Sequence, residues 1–219
     1  MEFDLIPYST KLFSFVLIFS QARAAIVGFL GGALLIFWLQ SKSKSLLILG
    51  IIIALSLLEL TVFYQVSWVY LTRGTAVFDP TFSGRTITWQ RTWQLFLTSP
   101  LLGCGFHADR ILDIGGQHVH NAFLHALLQT GLIGAIPFVF AFVKAWIILF
   151  RLLKQSSILR SERSVLIEIA GVLAFLTIRG FTESIGAFYG TDWLILAPLF
   201  AYITILNRRK STQNHITFK

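Results

Sequence analysis

Charged residues are scarce in this chain of 219 residues: they make up 13% of the sequence, whereas hydrophobic residues make up 55%. Soluble globular domains carry about 25% charged residues, so this composition excludes an ordinary water-soluble fold and predicts lipid as the main solvent. The single cysteine, Cys104, excludes an internal disulfide and a cysteine-based metal site. The net charge of +8 is better explained by basic cytoplasmic loops than by a nucleic-acid partner, and we expect no nucleic acid.

Long apolar runs are present instead. A membrane-spanning helix needs about 20 mostly apolar residues, and the sequence predicts an all-α, polytopic bundle of transmembrane helices that forms one membrane domain over residues 1–219. The apolar segment 12–20 is about half a bilayer long and predicts a partial N-terminal span or a re-entrant piece. The five full spans are predicted at 24–39, 46–65, 132–150, 164–182 and 192–206.

The basic residues predict the orientation of these spans. They cluster in two connections and after the last span, and five spans place all three clusters on one side, which the positive-inside rule makes cytoplasmic. The long loop 66–122 and the short loop 183–191 then lie on the outer side. The clusters contain Lys42, Lys44, Arg151, Lys154, Arg160, Arg163, Arg208, Arg209 and Lys210.

The basic residues left on the predicted outer side are all arginines. A guanidinium offers a planar fork for bidentate contact with phosphate or carboxylate, whereas lysine offers a point charge. Several arginines around one outer cavity would therefore suit a pyrophosphate; the alternative is contact with lipid headgroups or solvent. These residues are Arg23, Arg73, Arg85, Arg91, Arg110 and Arg179.

Within the outer loop, Trp89, Trp93 and Phe96 recur at i, i+4 and i+7, which predicts a helix over 86–98 with one aromatic face. Such a helix would lie on or dip into the membrane interface. The alternative is that the helix packs onto the bundle.

A polar stripe opens the next helical pattern. Asn121, His125 and Gln129 recur every four residues and share one helix face. Polar groups at this depth are costly unless they face a cavity or a partner, so the stripe is a candidate site. His118 and His120 precede it, and an imidazole suits a general base or a hydrogen-bond donor near neutral pH.

Other interpretations of the histidines stay open. His118 and His120 could bind zinc with Asp109 or Asp113, but no third and fourth ligand stands at a recognisable spacing, and we expect no metal. Either histidine could be purely structural. We expect His125 to be a packed, hydrogen-bonded helix residue.

Acidic residues near the spans need partners. Arg179 and Glu183 are spaced i, i+4 at the end of a predicted span. This spacing allows an ion pair, or it places Arg179 at the rim of the cavity that contains the histidines. Glu59 lies inside the predicted span 46–65, where pairing with an arginine and protonation both remain open.

Three local patterns, in this order, resemble the C-terminal half of the O-antigen ligase family, which includes O-antigen (Wzy-type) polymerases. The first is the start of a span at Ser20-Gln21-Ala22-Arg23-Ala24-Ala25. The second is Gly84-Arg85 with Trp89, followed by Ser99-Pro100-Leu101-Leu102-Gly103-Cys104-Gly105-Phe106. The third is His118-Val119-His120-Asn121-Ala122-Phe123-Leu124, continuing to Gly131-Leu132-Ile133-Gly134.

The resemblance implies a GT-C-like membrane glycosyltransferase in the bacterial inner membrane that moves a glycan from undecaprenyl diphosphate to an acceptor glycan or lipid A core at the periplasmic face. It implies no cofactor and no metal. By the same resemblance, Arg23, Arg85 and Arg179 bind the diphosphate, and His120 and His118 act in catalysis. We expect Asn121 and Glu183 to support the site, and membrane lipids to surround the chain.

The chain departs from the family in length. Family members usually have about ten to twelve spans, whereas this chain has room for five and a fragment, so we expect that the N-terminal spans of the family are missing. An inactive fragment is therefore one alternative. A membrane transporter is another, since some relatives in the same superfamily have been labelled bicarbonate transporters.

Overall fold

The computed structural model describes residues 23–41, 45, 48, 50–53, 56, 85–112, 114, 118–184 and 191–217. Every regular element in this part of the chain is helical, which confirms the all-α class. The predicted partial span 12–20, Glu59 and Asp113 lie outside the described residues. The helices with defined bounds are α1 (Arg23–Gln40), α2 (Arg85–Thr98), α3 (Ala108–Ile111), α4 (Ala122–Lys154), α5 (Arg160–Gly180) and α6 (Trp193–Thr217).

Helices α1 and α5 pack closely because glycines line their contact. A Cβ atom added at Gly28 would lie 3.0 Å from Phe175, and one added at Gly32 would lie 2.5 Å from the carbonyl oxygen of Gly171. As α1 advances from Gly28 to Gly32, its neighbours on α5 move back towards the start of that helix, so the two helices are antiparallel. Small residues let helix backbones approach in this way.

Helix α4 is interrupted at Gly131, whose φ of 59° and ψ of −162° are not helical. The interruption exposes backbone groups, and the loop that follows α2 binds them. The N–H of Leu132 donates to the Pro100 carbonyl at 2.9 Å, and the N–H of Cys104 donates to the Leu128 carbonyl at 2.6 Å. The loop is therefore fixed against α4 by main-chain hydrogen bonds.

Among the described residues, two hydrophobic cores hold the helices together. The larger core joins α4, α5 and α6 through fully buried side chains such as Leu149, Leu173 and Leu196. The smaller core lies beneath the loop between α2 and α4 and contains Ala108, Ile114, Val119 and Leu128. This second core supports the segment that carries the predicted catalytic histidines.

At the far end of α4, a buried lysine ties three segments together. The Lys210 ammonium, on α6, lies 3.0 Å from the Glu162 carboxylate at the start of α5 and donates to the Ser157 carbonyl at 3.2 Å. Arg163 donates to the Leu153 carbonyl at 2.8 Å, which satisfies an orphan acceptor at the end of α4. The predicted cytoplasmic basic residues of the α4–α5 connection and of α6 therefore lie together.

Within the described residues, α4 is the one helix that is both long and apolar enough to cross a bilayer. Its most apolar 18-residue stretch has a mean hydropathy of 2.3, and 28% of that stretch is buried, whereas the core helix of a soluble protein is mostly buried. The apolar helix Ala24–Gln40 is shorter. The predicted spans 24–39, 164–182 and 192–206 overlap α1, α5 and α6, and their crossing of the membrane remains a prediction. The predicted span 46–65 lies largely outside the described residues.

Candidate functional site

Arg85 begins α2 and is bound to the segment that follows α5. Its Nη1 donates to the Thr182 carbonyl at 2.7 Å, and its Nη2 donates to Glu183 Oε1 at 3.1 Å. The Arg85 and Glu183 side chains are 26% and 28% exposed. This ion pair is thus partly shielded from water. Charge interactions are stronger in such a position than in bulk solvent.

His120 binds the other oxygen of the same carboxylate. Its Nδ1 lies 3.1 Å from Glu183 Oε2. Since a carboxylate only accepts hydrogen bonds, this contact assigns the hydrogen to Nδ1 and leaves Nε2 as the nitrogen that can take a proton. The backbone of His120 is left-handed, with φ of 48°, a conformation that costs roughly 1–2 kcal/mol outside glycine. Such strain is typical of functional positions.

Asn121 joins the start of α4 to the end of α5. Its side-chain oxygen accepts the backbone N–H groups of Phe123 and Leu124, both at 3.0 Å, and so forms the N-cap of α4. Its amide donates to the Phe181 carbonyl at 3.1 Å. These contacts fix the position of His120, one residue earlier, relative to the end of α5.

Val119 lies between His118 and His120 in the sequence and anchors both of them. Its side chain is fully buried in the smaller core, and its carbonyl accepts the indole N–H of Trp89 at 2.8 Å. The side chains on either side are more open: His118 is 55% exposed and His120 is 30% exposed. Their ring centroids are 6.2 Å apart, so both imidazoles can reach one bound molecule.

A second carboxylate lies behind His118. Asp109, on α3, has a side chain that is 2% exposed, and its Oδ2 lies 3.3 Å from His118 Nδ1. Its Oδ1 lies 3.3 Å from Nε2 of His125, which is also 2.8 Å from Gln129 Nε2. The predicted polar stripe of α4 therefore faces a partner inside the protein, and His125 is packed and hydrogen-bonded as expected.

The predicted diphosphate-binding arginines Arg23 and Arg179 belong to the same end of the structure. Because α1 and α5 are antiparallel, α1 begins at Arg23 at the end where α5 finishes. The Arg179 Nη1 lies 3.9 Å from Asp192, and its guanidinium lies 5.9 Å from the centroid of the Phe175 ring. Within the described part of the chain, the buried Nε of Arg179 has no hydrogen-bond partner.

The pairing of these residues differs in part from what their spacing suggested. The i, i+4 spacing allowed an ion pair between Arg179 and Glu183, but among the described residues Glu183 pairs with Arg85 and His120, and Arg179 lies nearest Asp192. The cause is the turn after Gly180, since the helix ends before it reaches Glu183.

The predicted aromatic face of α2 is divided. Phe96 is buried and Trp93 is 47% exposed, while Thr88 and Thr92 join Phe96 on the buried face. Helical spacing alone cannot show which edge of an apolar stripe faces the core. Sequence reasoning also treated Asp109 only as a possible zinc ligand; its burial depends on α3, a four-residue helix too short for a periodic signal.

Comparison with known proteins decides the family. The family model described as O-antigen ligase matches residues 9–139, which is more than half of the chain. The chain belongs to the O-antigen ligase family. The matched range includes Arg23, Arg85, His118 and His120, whereas Glu183 lies beyond it.

The exopolysaccharide production protein ExoQ of Rhizobium meliloti (strain 1021) is 31% identical to the chain over 205 residues. The alignment covers 86% of this chain and 46% of ExoQ, so the chain spans about half the length of the curated relative that it matches. No solved structure matches the chain. The apolar, largely exposed helix α4 agrees with a bacterial membrane protein.

Proposed function

We propose that the chain is a membrane glycosyltransferase of the O-antigen ligase type, which transfers a glycan from undecaprenyl diphosphate to an acceptor sugar of a surface polysaccharide or lipopolysaccharide. The observation that carries this proposal is the carboxylate of Glu183, which binds Arg85 and His120 at the same time. It brings a guanidinium, which suits a diphosphate, beside an imidazole, which suits proton transfer.

The chemistry is a single displacement at the anomeric carbon of the donor sugar. The acceptor hydroxyl oxygen forms a bond to that carbon, and the bond from the carbon to the diphosphate oxygen breaks and leaves its electron pair on the diphosphate. His120 Nε2 takes the proton of the hydroxyl, and Glu183 stabilises the imidazolium that forms. Arg85 stabilises the charge on the departing diphosphate, with Arg179 and Arg23 as further contacts. Inversion at the anomeric carbon follows.

The proposal includes five spans in the bacterial inner membrane with the site on the periplasmic side. The solvent-exposed face of α4 supports contact with lipid, because large apolar side chains recur along this face at helical spacing. The basic residues at the opposite end support a cytoplasmic location for that end. The exposed apolar residues of α4 include Ile133, Ile136, Phe140, Val143 and Ile147.

Complementation tests the proposal in cells. The chain is expressed in Rhizobium meliloti without ExoQ, and in strains without their own O-antigen ligase or polymerase, and secreted exopolysaccharide and lipopolysaccharide are measured. We expect polysaccharide to be restored in one of these strains by the wild-type chain and not by His120→Ala at equal protein level. Absence of polysaccharide in all of them, with the chain present in the membrane fraction, would contradict the proposal.

A further inference from the structure

The carboxylate of Asp109 is buried between two histidines but is hydrogen-bonded to one. Its Oδ2 is bonded to His118 Nδ1 at 3.3 Å. Its Oδ1 lies at the same distance from His125 Nε2, yet this oxygen has no hydrogen-bond partner within the described residues. The His125 nitrogen is bonded to Gln129 instead, at 2.8 Å.

Among the described residues, the hydrogen bond to the Asp109 carboxylate comes from His118. A buried carboxylate depends strongly on such a partner, because unpaired polar atoms are costly away from water. His118 satisfies it only with a hydrogen on Nδ1. The contact therefore fixes both the ring orientation of His118 and its tautomer, and it leaves Nε2 able to accept a hydrogen bond. His118 is the more exposed of the two neighbouring histidines, so its ring is open to a ligand.

The position of His118 relative to the reacting centre can be described from Glu183, which binds the neighbouring His120. His120 and Arg85 share that carboxylate, and the proposed function places the departing diphosphate beside them. His118 is held by a different carboxylate, and its ring centroid lies 6.2 Å from that of His120. His118 is thus a neighbour of the proposed base, and it is more accessible to an acceptor than His120 is.

We infer that Asp109 is a positioning residue for His118, and that His118 Nε2 accepts a hydrogen bond from a hydroxyl group of the acceptor sugar. The class of ligand is a sugar hydroxyl next to the one that reacts at His120. This inference rests on the proposed function for the identity of the acceptor, whereas the pairing of Asp109 with His118 stands on geometry alone.

The pairing is tested first, without any activity. The full chain is labelled with ¹⁵N-histidine and studied by NMR in detergent; it has five histidines, and His118→Gln assigns the signal of interest. We expect wild-type His118 to carry its hydrogen on Nδ1, and Asp109→Asn, which keeps the side-chain volume, to shift it towards the Nε2–H form. His125→Gln is the matched control and leaves the His118 signal unchanged.

Two results would overturn the pairing. One is a His118 signal that Asp109→Asn does not move. The other is an equal change in His125→Gln, which would show that Asp109 acts through the packing of the smaller core. Because this measurement needs no turnover, it gives an answer even if the chain transfers no glycan.

Kinetics then test the acceptor contact, with lipid-diphosphate-linked glycan extracted from Rhizobium meliloti as the probe for both donor and acceptor. Loss of one hydrogen bond predicts that His118→Ala raises KM about 3- to 10-fold with little change in kcat, whereas His120→Ala lowers kcat. Asp109→Asn should resemble His118→Ala, and the double variant should be no worse than either. Additive losses, or a fall in kcat alone, would contradict the inference. No turnover in the wild type would instead count against the proposed function.

Discussion

At the scale of single residues, Glu183 is the centre of the candidate site because it connects Arg85 to His120. The sequence predicted all three residues as members of the site, but it could not predict their pairing. Glu183 is 98 residues from Arg85 and 63 from His120. Contacts at such separation depend on how the helix ends meet, which no local pattern encodes.

The first prediction concerns the guanidinium of Arg85. Arg85→Lys keeps the positive charge but loses the planar fork that contacts Thr182 and Glu183, so we expect it to lower glycan transfer by roughly 100-fold. Arg85→Ala should lower it further. The matched control is Arg91→Ala, an exposed arginine on the same helix, which should keep near-wild-type transfer. Equal activity of Arg85→Lys and wild type would contradict the role of the fork.

The second prediction concerns pH and the opposite end of the structure. The N–H of Leu159 and the Lys210 ammonium donate to the Glu162 carboxylate, and they hold the pKa of Glu162 below its ordinary value of 4.5. A lowered pKa in the folded state contributes stability above the ordinary value, and this contribution is lost as pH falls through the lowered pKa. Because the Glu162 side chain is partly exposed to solvent, the contribution is about 1 kcal/mol or less.

Thermal unfolding in detergent checks this prediction. Glu162→Gln should unfold at a lower Tm than wild type at pH 7, and the difference should shrink as pH falls below 4.5. Ser161→Ala, at an exposed neighbouring position, serves as the control and should show no pH-dependent difference. A Tm difference between Glu162→Gln and wild type that grows as the pH falls would contradict the lowered pKa of Glu162.

At the scale of helices, the sequence predicted the existence of the longer helices better than their ends, and it did not predict the four-residue helix α3. The apolar stretch 24–39 lies within one residue of the ends of α1, whereas α4 begins ten residues before its predicted span and α6 continues eleven residues beyond its own. Hydropathy detects the apolar part of a helix only. Polar ends, such as the first turns of α4, become helical because a cap and tertiary contacts support them.

The third prediction concerns the close contact between the loop after α2 and the interruption in α4. Gly131 and Gly103 both have positive φ, and a Cβ at either would collide with the backbone of the other segment. We expect Gly131→Ala and Gly103→Ala to destabilise the fold by more than the roughly 1–3 kcal/mol that a sparsely populated backbone conformation costs a residue with a side chain. Gly105 has a φ of 94° but open space around it, so Gly105→Ala is the matched control. Equal Tm losses at all three positions would rule out the steric contact.

At the scale of the whole molecule, the described residues have two chemically different ends. Arg85, His120 and Glu183 mark one end of α4, and Arg163 and Lys210 mark the other. The sequence predicted this separation from the charges of its loops alone. It could not predict the smaller core, because Ala108, Ile114 and Val119 lie in segments with no helical or alternating pattern.

The fourth prediction places these ends on opposite sides of the membrane. Phe181 and Leu159 are exposed to similar extents, 57% and 61%, at the site end and at the basic end. In a Cys104→Ser background, Phe181→Cys should react with an impermeant maleimide in cells whose outer membrane has been removed and whose inner membrane is intact. Leu159→Cys should react only after the inner membrane is permeabilised. The opposite pattern would reverse the orientation, and reaction of both in intact cells would contradict a membrane between them.

The central claim is that Arg85, Glu183 and His120 together transfer a glycan from a lipid diphosphate. The most direct measurement uses the purified full chain with undecaprenyl-diphosphate-linked glycan, and detects by mass spectrometry both the released undecaprenyl diphosphate and the extended glycan. We predict that both products appear together with the wild-type chain, and that neither appears with Glu183→Gln or His120→Ala at equal protein level. Equal product from wild type and both variants, or lipid diphosphate released without any extended glycan, would contradict the account.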